Sequence, residues 1–213
     1  MSFGERVFAS LYDRITAGEE KAGLGELRKQ VVGKAAGRVL EIGGGTGANL
    51  RFYGPNVDAL TITEPAEPMA RRLERKLREQ PVKAEVTRAA AEQLPFEDDS
   101  FDTAVSTLVL CTVDDQERSL RELRRVLKPG GQLLFIEHVR SDSPRQARWQ
   151  DRVNPVHRVI GCGCNCNRDT LARIEAAGFS VGELARDRLH KAPPWVRPLI
   201  TGSAQSGALT QVR

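Results

Sequence analysis

Several features that would place the chain in a special class are missing from its 213 residues. No apolar run approaches the roughly 18 residues that a membrane-spanning helix needs. The N-terminal stretch MSFGERVFASLYDRI carries acidic residues and lacks a continuous apolar core, so it is not interpreted as a signal peptide. No internal repeat or low-complexity tract is present. These absences favour a cytoplasmic protein without a membrane anchor.

Cysteine is also scarce, and its placement is uneven. Three of the four cysteines lie in the segment CGCNC, residues 162–166. In a cytoplasmic protein this pattern argues against a structural disulfide framework and leaves free thiols, a metal site or a redox role.

The composition is that of a globular protein, with 40% hydrophobic and 28% charged residues and a net charge of +4. The basic residues alternate with acids in 71–80 and 117–128, as on solvated helix faces with i,i+4 pairs. No recognised nucleic-acid motif accompanies the charge, so we expect no nucleic-acid partner. The length fits one domain, residues 1–213.

Apolar segments alternate with amphipathic ones through the first two thirds of the chain. Such alternation predicts a parallel sheet built of right-handed βαβ units. The predicted strands are 38–42, 59–63, 82–88, 101–110, 132–139, 179–184 and 198–205. The predicted helices are 5–15, one beginning at Thr46, 66–80, 114–127 and 168–178, with a turn at 128–131.

These elements suggest four parts within the single domain. Residues 1–37 are expected to form an N-terminal helical lid, and 38–139 the ligand-binding core. The polar, aromatic and cysteine-containing segment 140–166 breaks the pattern and is interpreted as an insertion over the active face, on the substrate side. Residues 167–213 supply a helix and the last strands.

The stretch VLEIGGGTGANL, residues 39–50, places an acid next to a glycine loop. Gly43, Gly45 and Ala48 satisfy the dinucleotide pattern G-x-G-x-x-G/A. A dinucleotide would put its pyrophosphate at this loop, where Glu41 would repel it by roughly several kcal/mol. A cationic ligand without phosphate reverses that sign. S-adenosylmethionine (SAM), with an ammonium and a sulfonium, is therefore the expected cofactor.

A second acid follows the second predicted strand. Glu64 lies about 20 residues after Gly43, the spacing at which an acid accepts hydrogen bonds from ribose hydroxyls. The alternative for Glu64 is a helix N-cap for 66–80. Pro65 and Met69 follow, and Met69 is a candidate for packing on the adenine face or for ordinary helix core.

Read together, these residues resemble the class I SAM-dependent methyltransferases. The similar motifs, in chain order, are LEIGGGTGANL, TITEP, AAAEQLPFEDDSFD (89–102), STLVLC (106–111) and LRRVLKPGGQLLFIEH (123–138). The resemblance implies an α/β fold with a Rossmann-like, doubly wound, mostly parallel seven-stranded sheet, and a small insertion after the fifth strand.

Within that family, TGANLRFY, FIEHV and GCGCNCNRDT are similar to the thiol-methylating branch of the methyltransferase-like proteins and its bacterial relatives. Two departures matter. The membrane-anchoring N-terminal helix of the animal members is absent, and in the cysteine segment only Cys164 clearly matches.

By this resemblance, known cofactor positions map onto the chain. The methionine end would be held by Glu41, Gly43, Gly45, Thr46 and Gly47. Glu64 would hold the ribose. Ala91 and Glu92 would flank the adenine, and the backbone carbonyls of Thr107 and Leu108 would lie near the sulfonium.

The acceptor side is less well defined by the sequence. His138, at the end of the fifth strand, is the leading candidate for a general base, with a structural histidine as the alternative. His157 and Trp149 in the insertion, Tyr12 in the lid and Cys164 are candidates for the substrate pocket.

The cysteine segment leaves several hypotheses open. An extended backbone would project Cys162, Cys164 and Cys166 to one face, and a structural zinc site would need a fourth ligand, His157 or Cys111. Redox or persulfide chemistry, and packing by small soft residues, are the alternatives. The flanking glycines favour a tight turn, so we expect no metal site.

The predicted function is methyl transfer from SAM to a small-molecule acceptor, with a thiol as the first candidate. The alternatives are methylation of an oxygen, nitrogen or carbon of a quinone, phenol or amine, and a metal- or redox-sensing protein that uses CGCNC. The sequence does not decide the oligomeric state.

Overall fold

The computed structural model describes residues 17–161 and 163–207. Their centre is a seven-stranded sheet with the order β3-β2-β1-β4-β5-β7-β6. The strands are β1 (Gly37–Ile42), β2 (Val57–Thr63), β3 (Ala84–Thr87), β4 (Phe101–Thr107), β5 (Leu127–His138), β6 (Phe179–Arg188) and β7 (Pro198–Ser206). The first five strands pair in parallel, and β7 pairs antiparallel with both β5 and β6.

The α-helices cover both faces of the sheet. They are α1 (Gly25–Val32), α2 (Glu67–Leu77), α3 (Gln116–Val126), α4 (Pro144–Ile160) and α5 (Thr170–Ala176). A π-helical turn (Glu20–Leu24) precedes α1, and short 3-10 helices lie at Leu50–Phe52 and Pro194–Val196. Asp115 caps α3 by accepting from the Arg118 amide at 2.9 Å.

The sheet separates two hydrophobic cores. Alternate residues of β1 enter different cores: Leu40 packs with α3 and α5, whereas Val39 packs with α1 and α2. Three neighbouring strands each place a candidate site residue two positions after a residue of the core on the α1 side. Because side chains alternate along a strand, these candidates lie on the α1 face; they are Glu41 after Val39, Thr107 after Val105 and His138 after Ile136. The carboxyl ends of β1, β4 and β5 thus bring candidate site residues from distant parts of the sequence to one edge.

All seven predicted strands are present, but one predicted helix is wrong. The chain after Thr46 forms turns and the short 3-10 helix instead of an α-helix. Gly47 has a φ of +80°, which interrupts a right-handed helix, and Gly54 and Pro55 follow before a new one can form.

The predicted turn at 128–131 lies inside a strand. β5 already begins at Leu127, and its pairing with β4 slips between Phe101 and Thr103, which face Leu127 and Gln132. The residues Lys-Pro-Gly-Gly therefore form a bulge rather than a chain reversal.

The segment 140–166, interpreted from its composition as an insertion, contains α4, which the sequence did not predict; Pro155 lies inside this helix. The predicted helix 5–15 lies outside the described residues. In the described part of the chain, no helix combines the length and apolar character that crossing a bilayer would require.

Candidate active site

The glycine loop after β1 packs on the core on one side and is open on the other. A Cβ at Gly44 would lie 2.2 Å from Ile62 Cγ2, so this glycine is required by core packing. A Cβ at Gly45 would meet no atom within 4 Å, although its φ of +54° is the left-handed region that favours glycine. Open space therefore lies beside the Gly45 peptide.

Glu64 joins this loop to the end of β2. Its Oε2 accepts from the Gly45 amide at 2.9 Å, and its Oε1 accepts from the Ala66 amide at 2.8 Å. Burial raises the pKa of the Glu64 carboxyl, although both amides favour the ionised form. The carboxylate is thereby fixed at the edge of the open space next to Gly45.

Glu41 lies one residue before the end of β1 and is 2% exposed. Its Oε1 accepts from Asn49 Nδ2 at 2.9 Å, and its Oε2 accepts from the Tyr53 hydroxyl at 2.6 Å. Burial raises its pKa to about 7, and the two hydrogen bonds and the charge of Arg28 oppose that shift. Each oxygen of an ionised carboxylate accepts more than one hydrogen bond, so Glu41 keeps capacity for a cationic donor.

Arg28 connects α1 to this acidic group. Its Nη1 donates to Asn49 Oδ1 at 2.7 Å and to Thr107 Oγ1 at 3.1 Å, and its Nε donates to Glu20 at 2.9 Å. The Arg28 residue is 5% exposed, so its charge is compensated inside the protein. The network holds the glycine loop, α1 and the end of β4 together.

The loop after β4 is held by a buried acid. Glu137 is fully buried, and its carboxylate accepts from the amides of Val109, Leu110 and Cys111 at 3.0–3.1 Å and from the Ser106 hydroxyl at 2.6 Å. Burial raises its pKa, and these four donors act in the opposite direction. These bonds join the loop to the end of β5.

Leu108 begins that loop in an unusual backbone conformation. Its φ is +60°, and its amide donates to the Ile136 carbonyl at 2.7 Å. A non-glycine residue in this region is strained by roughly 1–3 kcal/mol and is found most often at functional sites. The strain lies next to Thr107, at the position where the sequence predicted contact with the cofactor.

Two cysteines and a histidine meet beyond this loop, in what we call the Cys-His cluster (Cys111, His138 and Cys164). The Sγ atoms of Cys111 and Cys164 lie 3.8 Å apart, within hydrogen-bond distance. Nδ1 of His138 lies 3.6 Å from Cys164 Sγ and 3.8 Å from Cys111 Sγ. Cys111 and Cys164 are buried, and His138 is partly buried.

The pKa values of the two cysteines in the cluster are shifted in opposite directions. The hydrogen bond from the Cys111 thiol lowers the pKa of Cys164. Hydrogen bonds to His138 and His157 lower it further, whereas burial raises it. The hydrogen bond between the two thiols, together with burial, raises the pKa of Cys111. Burial by itself would lower the pKa of His138, but Cys164, Glu137 and Glu19 outweigh it and raise that pKa. Glu19 is therefore close to the cluster as well.

The third described cysteine of the chain is not part of the cluster. Cys166 is buried, and its Sγ and amide contact Asn154 Oδ1 at 3.5 Å and 3.0 Å. Residues 163–165 form a turn and irregular backbone rather than a strand, so the extended-strand premise is wrong here. The partners of Cys164 are instead Cys111 and His138, from the ends of β4 and β5.

The residues expected near the adenine lie at the outer edge of the site. Met69 and Ala91 are buried, and Pro65 is exposed. Oε1 of Glu92 accepts from the amides of Asp114 and Asp115 at 2.9 Å and 3.3 Å. The Glu92 side chain thus fixes the start of α3.

Two of the pocket candidates, Trp149 and His157, lie on α4. Trp149 packs edge-to-face on Trp195 at 5.3 Å, and the Trp195 indole donates to His157 Nδ1 at 3.2 Å. Trp149 is 39% exposed and has a packing role in this contact. Tyr12 lies outside the described residues.

Four residues of the site were not found by sequence reasoning. They are Arg28, Asn49, Tyr53 and Glu137. The first three surround Glu41, but only folding brings α1 to β1. Glu137 directly precedes His138 in the sequence. It could have been found as an acid at the end of a buried apolar strand, because a buried carboxylate requires hydrogen-bond partners.

Two surface cavities lie away from the glycine loop. One of about 170 Å³ is lined by α1, β6 and β7, and one of about 480 Å³ lies at the start of β2. The carboxyl ends of the strands, and not these cavities, carry the acids, the strained backbone and the cluster. In open parallel sheets, ligands bind at that edge.

Comparisons with known proteins identify the family. Residues 40–135 match the family described as methyltransferase domain. The chain is 36% identical over 170 residues to thiol S-methyltransferase TMT1A of Homo sapiens, covering 78% of this chain and 69% of that protein. It is also 36% identical over 189 residues to the human TMT1B, covering 84% of this chain and 76% of that protein.

A solved structure agrees with the fold. A SAM-dependent methyltransferase of Thermotoga maritima superposes with a TM-score of 0.68 at 24% identity, covering 94% of this chain and 97% of that one. The chain belongs to the class I SAM-dependent methyltransferases, and its cofactor is SAM.

Proposed function

We propose that the protein transfers the methyl group of SAM to the sulfur of a small thiol. The observation that supports a thiol is the Cys-His cluster, which gathers two sulfurs and an imidazole beyond the Thr107–Leu108 edge. The similarity to proteins named thiol S-methyltransferases supports the same acceptor.

The residues of the site fit this cofactor. A Cβ added at Gly45 would have no other atom within 4 Å. The space beside this residue is therefore open, and a ligand can lie against the loop backbone. Two buried acids, Glu41 and Glu64, border that loop. These two carboxylates accept hydrogen bonds from an ammonium group or from ribose hydroxyls, and they repel a pyrophosphate.

The roles follow from chemistry and position. Glu41 would bind the ammonium, with the loop residues Gly43, Gly45, Thr46 and Gly47 around the methionine end. Glu64 would accept from the ribose hydroxyls, and the adenine would lie among Pro65, Met69, Ala91 and Glu92. Thr107 and Leu108 would border the sulfonium.

When bound, SAM supplies a methyl group on a positively charged sulfur that is already a good leaving group. The protein must therefore position the acceptor in line and help it to lose its proton, because the thiolate is the nucleophile. We assign that assistance to His138. The thiol proton is released, and a methyl thioether and S-adenosylhomocysteine are the products.

Cys164 would border the acceptor pocket, whereas Tyr12, another candidate for it, lies outside the described residues. The α4 residues Trp149 and His157 would also border this pocket. The partner is a small molecule, and we propose no nucleic-acid or membrane partner.

A methyl-transfer screen tests the acceptor. The protein is incubated with SAM and alkyl thiols, sulfide, phenols, quinols or amines, and S-adenosylhomocysteine is measured. We expect turnover with alkyl thiols. Turnover confined to phenols, quinols or amines would overturn the thiol assignment and leave the methyltransferase assignment intact.

The His138→Ala variant tests the assisting group. Loss of an acid-base group costs about 10²–10⁴-fold in rate, so kcat with a thiol should fall by at least about 100-fold. SAM affinity, measured by calorimetry, should be nearly unchanged. The control is His190→Ala, since His190 is exposed on the surface. Equal turnover of the two variants would remove His138 from the reaction.

A further inference from the structure

We propose that Cys111, His138 and Cys164 bind a Zn²⁺ ion with three protein ligands and one position left open for the acceptor sulfur. The metal site goes beyond the methyltransferase assignment. The role of its open position rests on the proposed function, because it requires a thiol as the acceptor.

The geometry of the cluster carries the proposal. The ligand atoms Cys111 Sγ, Cys164 Sγ and His138 Nδ1 all lie within 4.8 Å of one another. In a tetrahedral zinc site with Zn–S near 2.3 Å and Zn–N near 2.05 Å, the S···S edge is roughly 3.8 Å and the S···N edges are roughly 3.6 Å. The corresponding distances here are 3.8 Å, 3.6 Å and 3.8 Å. The three atoms already occupy one face of such a tetrahedron.

The backbone of the two cysteine ligands is also held in place by hydrogen bonds. The Cys111 amide donates to Glu137 at 3.1 Å, and its carbonyl accepts from the Asn165 amide at 2.8 Å. The Cys164 amide donates to Gly161 at 3.1 Å. The two cysteines are therefore fixed by their own backbone contacts, while the Nε2 atom of His138 is buried and has no hydrogen-bond partner.

The chemistry of the donors selects the metal. Two thiolates and one imidazole form a soft set that suits Zn²⁺ and does not suit Mg²⁺ or Ca²⁺. Two buried thiolates 3.8 Å apart repel each other, and a divalent cation between them neutralises both charges. The metal thus gives the second buried thiol a reason to ionise that the protein by itself does not provide.

Three protein ligands and an open position are the pattern of catalytic zinc sites, whereas structural sites have four. A thiol RSH that occupies the fourth position binds as RS⁻ and releases its proton to solvent. In this state His138 acts as a ligand and assists deprotonation through the metal. The expectation that the chain has no metal site is revised accordingly.

The first experiment uses the whole protein and Co²⁺ as the probe for Zn²⁺. Protein freed of metal with a chelator is titrated with Co²⁺ and monitored by absorption. We expect one ion per chain, a sulfur-to-cobalt charge-transfer band and d–d bands of four-coordinate intensity, all displaced by equimolar Zn²⁺. Wild-type protein that takes up no Co²⁺ or Zn²⁺ overturns the proposal without reference to any variant.

Variants then locate the ion. Cys111→Ser and Cys164→Ser should each weaken Co²⁺ binding by more than the roughly 10–100-fold that loss of a supporting hydrogen bond costs. Cys166→Ser is the matched control, because this buried cysteine lies two residues from Cys164 but contacts Asn154. Circular dichroism confirms that each variant is folded. Equal loss of binding in Cys166→Ser would contradict the assignment.

The open position is tested separately with 2-mercaptoethanol and, as its oxygen counterpart, ethylene glycol. The thiol should shift the d–d bands of the Co²⁺ protein, and the diol should not. Metal binding with no thiol shift, in a protein that methylates thiols, would overturn the open position but not the proposed function. A shift of the d–d bands by the thiol, in a protein that does not methylate thiols, would overturn the proposed function but not the open position.

Discussion

At the residue scale, Glu41 is a carboxyl group whose ionisation depends on what lies beside it. Burial raises its pKa from 4.5 to about 7, and Arg28, Tyr53, Asn49 and Glu64 are the groups that face it. Because its pKa is raised in the folded protein, ionising Glu41 destabilises the apo fold as pH rises from about 4.5 to about 7. A bound ammonium has the opposite effect, since it favours the carboxylate.

Binding of an ammonium beside Glu41 should release a proton from its carboxyl group. SAM binding should lower the pKa of Glu41, so up to one proton leaves per SAM bound between about pH 5 and pH 7. SAM affinity should therefore rise with pH over this range and level off above it. Calorimetry in buffers of different ionisation enthalpy measures the proton directly.

Glu41→Gln should abolish this proton release and the rise in affinity with pH. Glu67→Gln is the control, because Glu67 pairs with Arg71 on the surface of α2 and lies outside the network of Glu41. If Glu41→Gln releases as many protons as the wild type, another group binds the ammonium.

At the element scale, the glycine loop has two faces with different requirements. Gly44 faces the core at Ile62, and Gly45 faces the open space that we assign to SAM. The same change, glycine to alanine, should therefore produce two different defects at neighbouring positions.

Gly44→Ala should lower the free energy of unfolding by roughly 1–3 kcal/mol, because its Cβ overpacks the core. Gly45→Ala should cost only about 1 kcal/mol of backbone strain but should weaken SAM binding by more than about tenfold. Urea denaturation without SAM gives the first quantity, and calorimetry gives the second. If both variants bind SAM as tightly as the wild type, the ligand does not approach this loop.

At the scale of the whole molecule, a ligand that binds only the folded state stabilises it. At 100 times its dissociation constant, SAM should raise the free energy of unfolding by about 2.7 kcal/mol, or shift the Tm by roughly 5–10 °C for a chain of this size. NAD at the same concentration should not, because its pyrophosphate would face Glu41 and Glu64. A thermal melt with each ligand is sufficient, and an equal shift with NAD would contradict the electrostatic argument.

The order of elements was readable from the sequence because apolar strand segments alternate with amphipathic helical segments along the chain. The seven strands were therefore placed correctly, and α2, α3 and α5 were found within a few residues. The helix expected from Thr46 is wrong because Gly47 has a φ of +80°, which interrupts a right-handed helix. The helix α4 was not predicted, and it contains Pro155 in its interior.

The sequence by itself determined the fold class, the glycine loop and the acids at the ends of β1 and β2, since these depend on local spacing along the chain. The tertiary structure alone decided which side chains meet. Arg28 meets Asn49 and Thr107, and Cys164 meets Cys111 and His138, across 21 to 79 residues of chain. Parallel strands bring their carboxyl ends to one edge whatever the sequence separation, and no local pattern encodes that proximity.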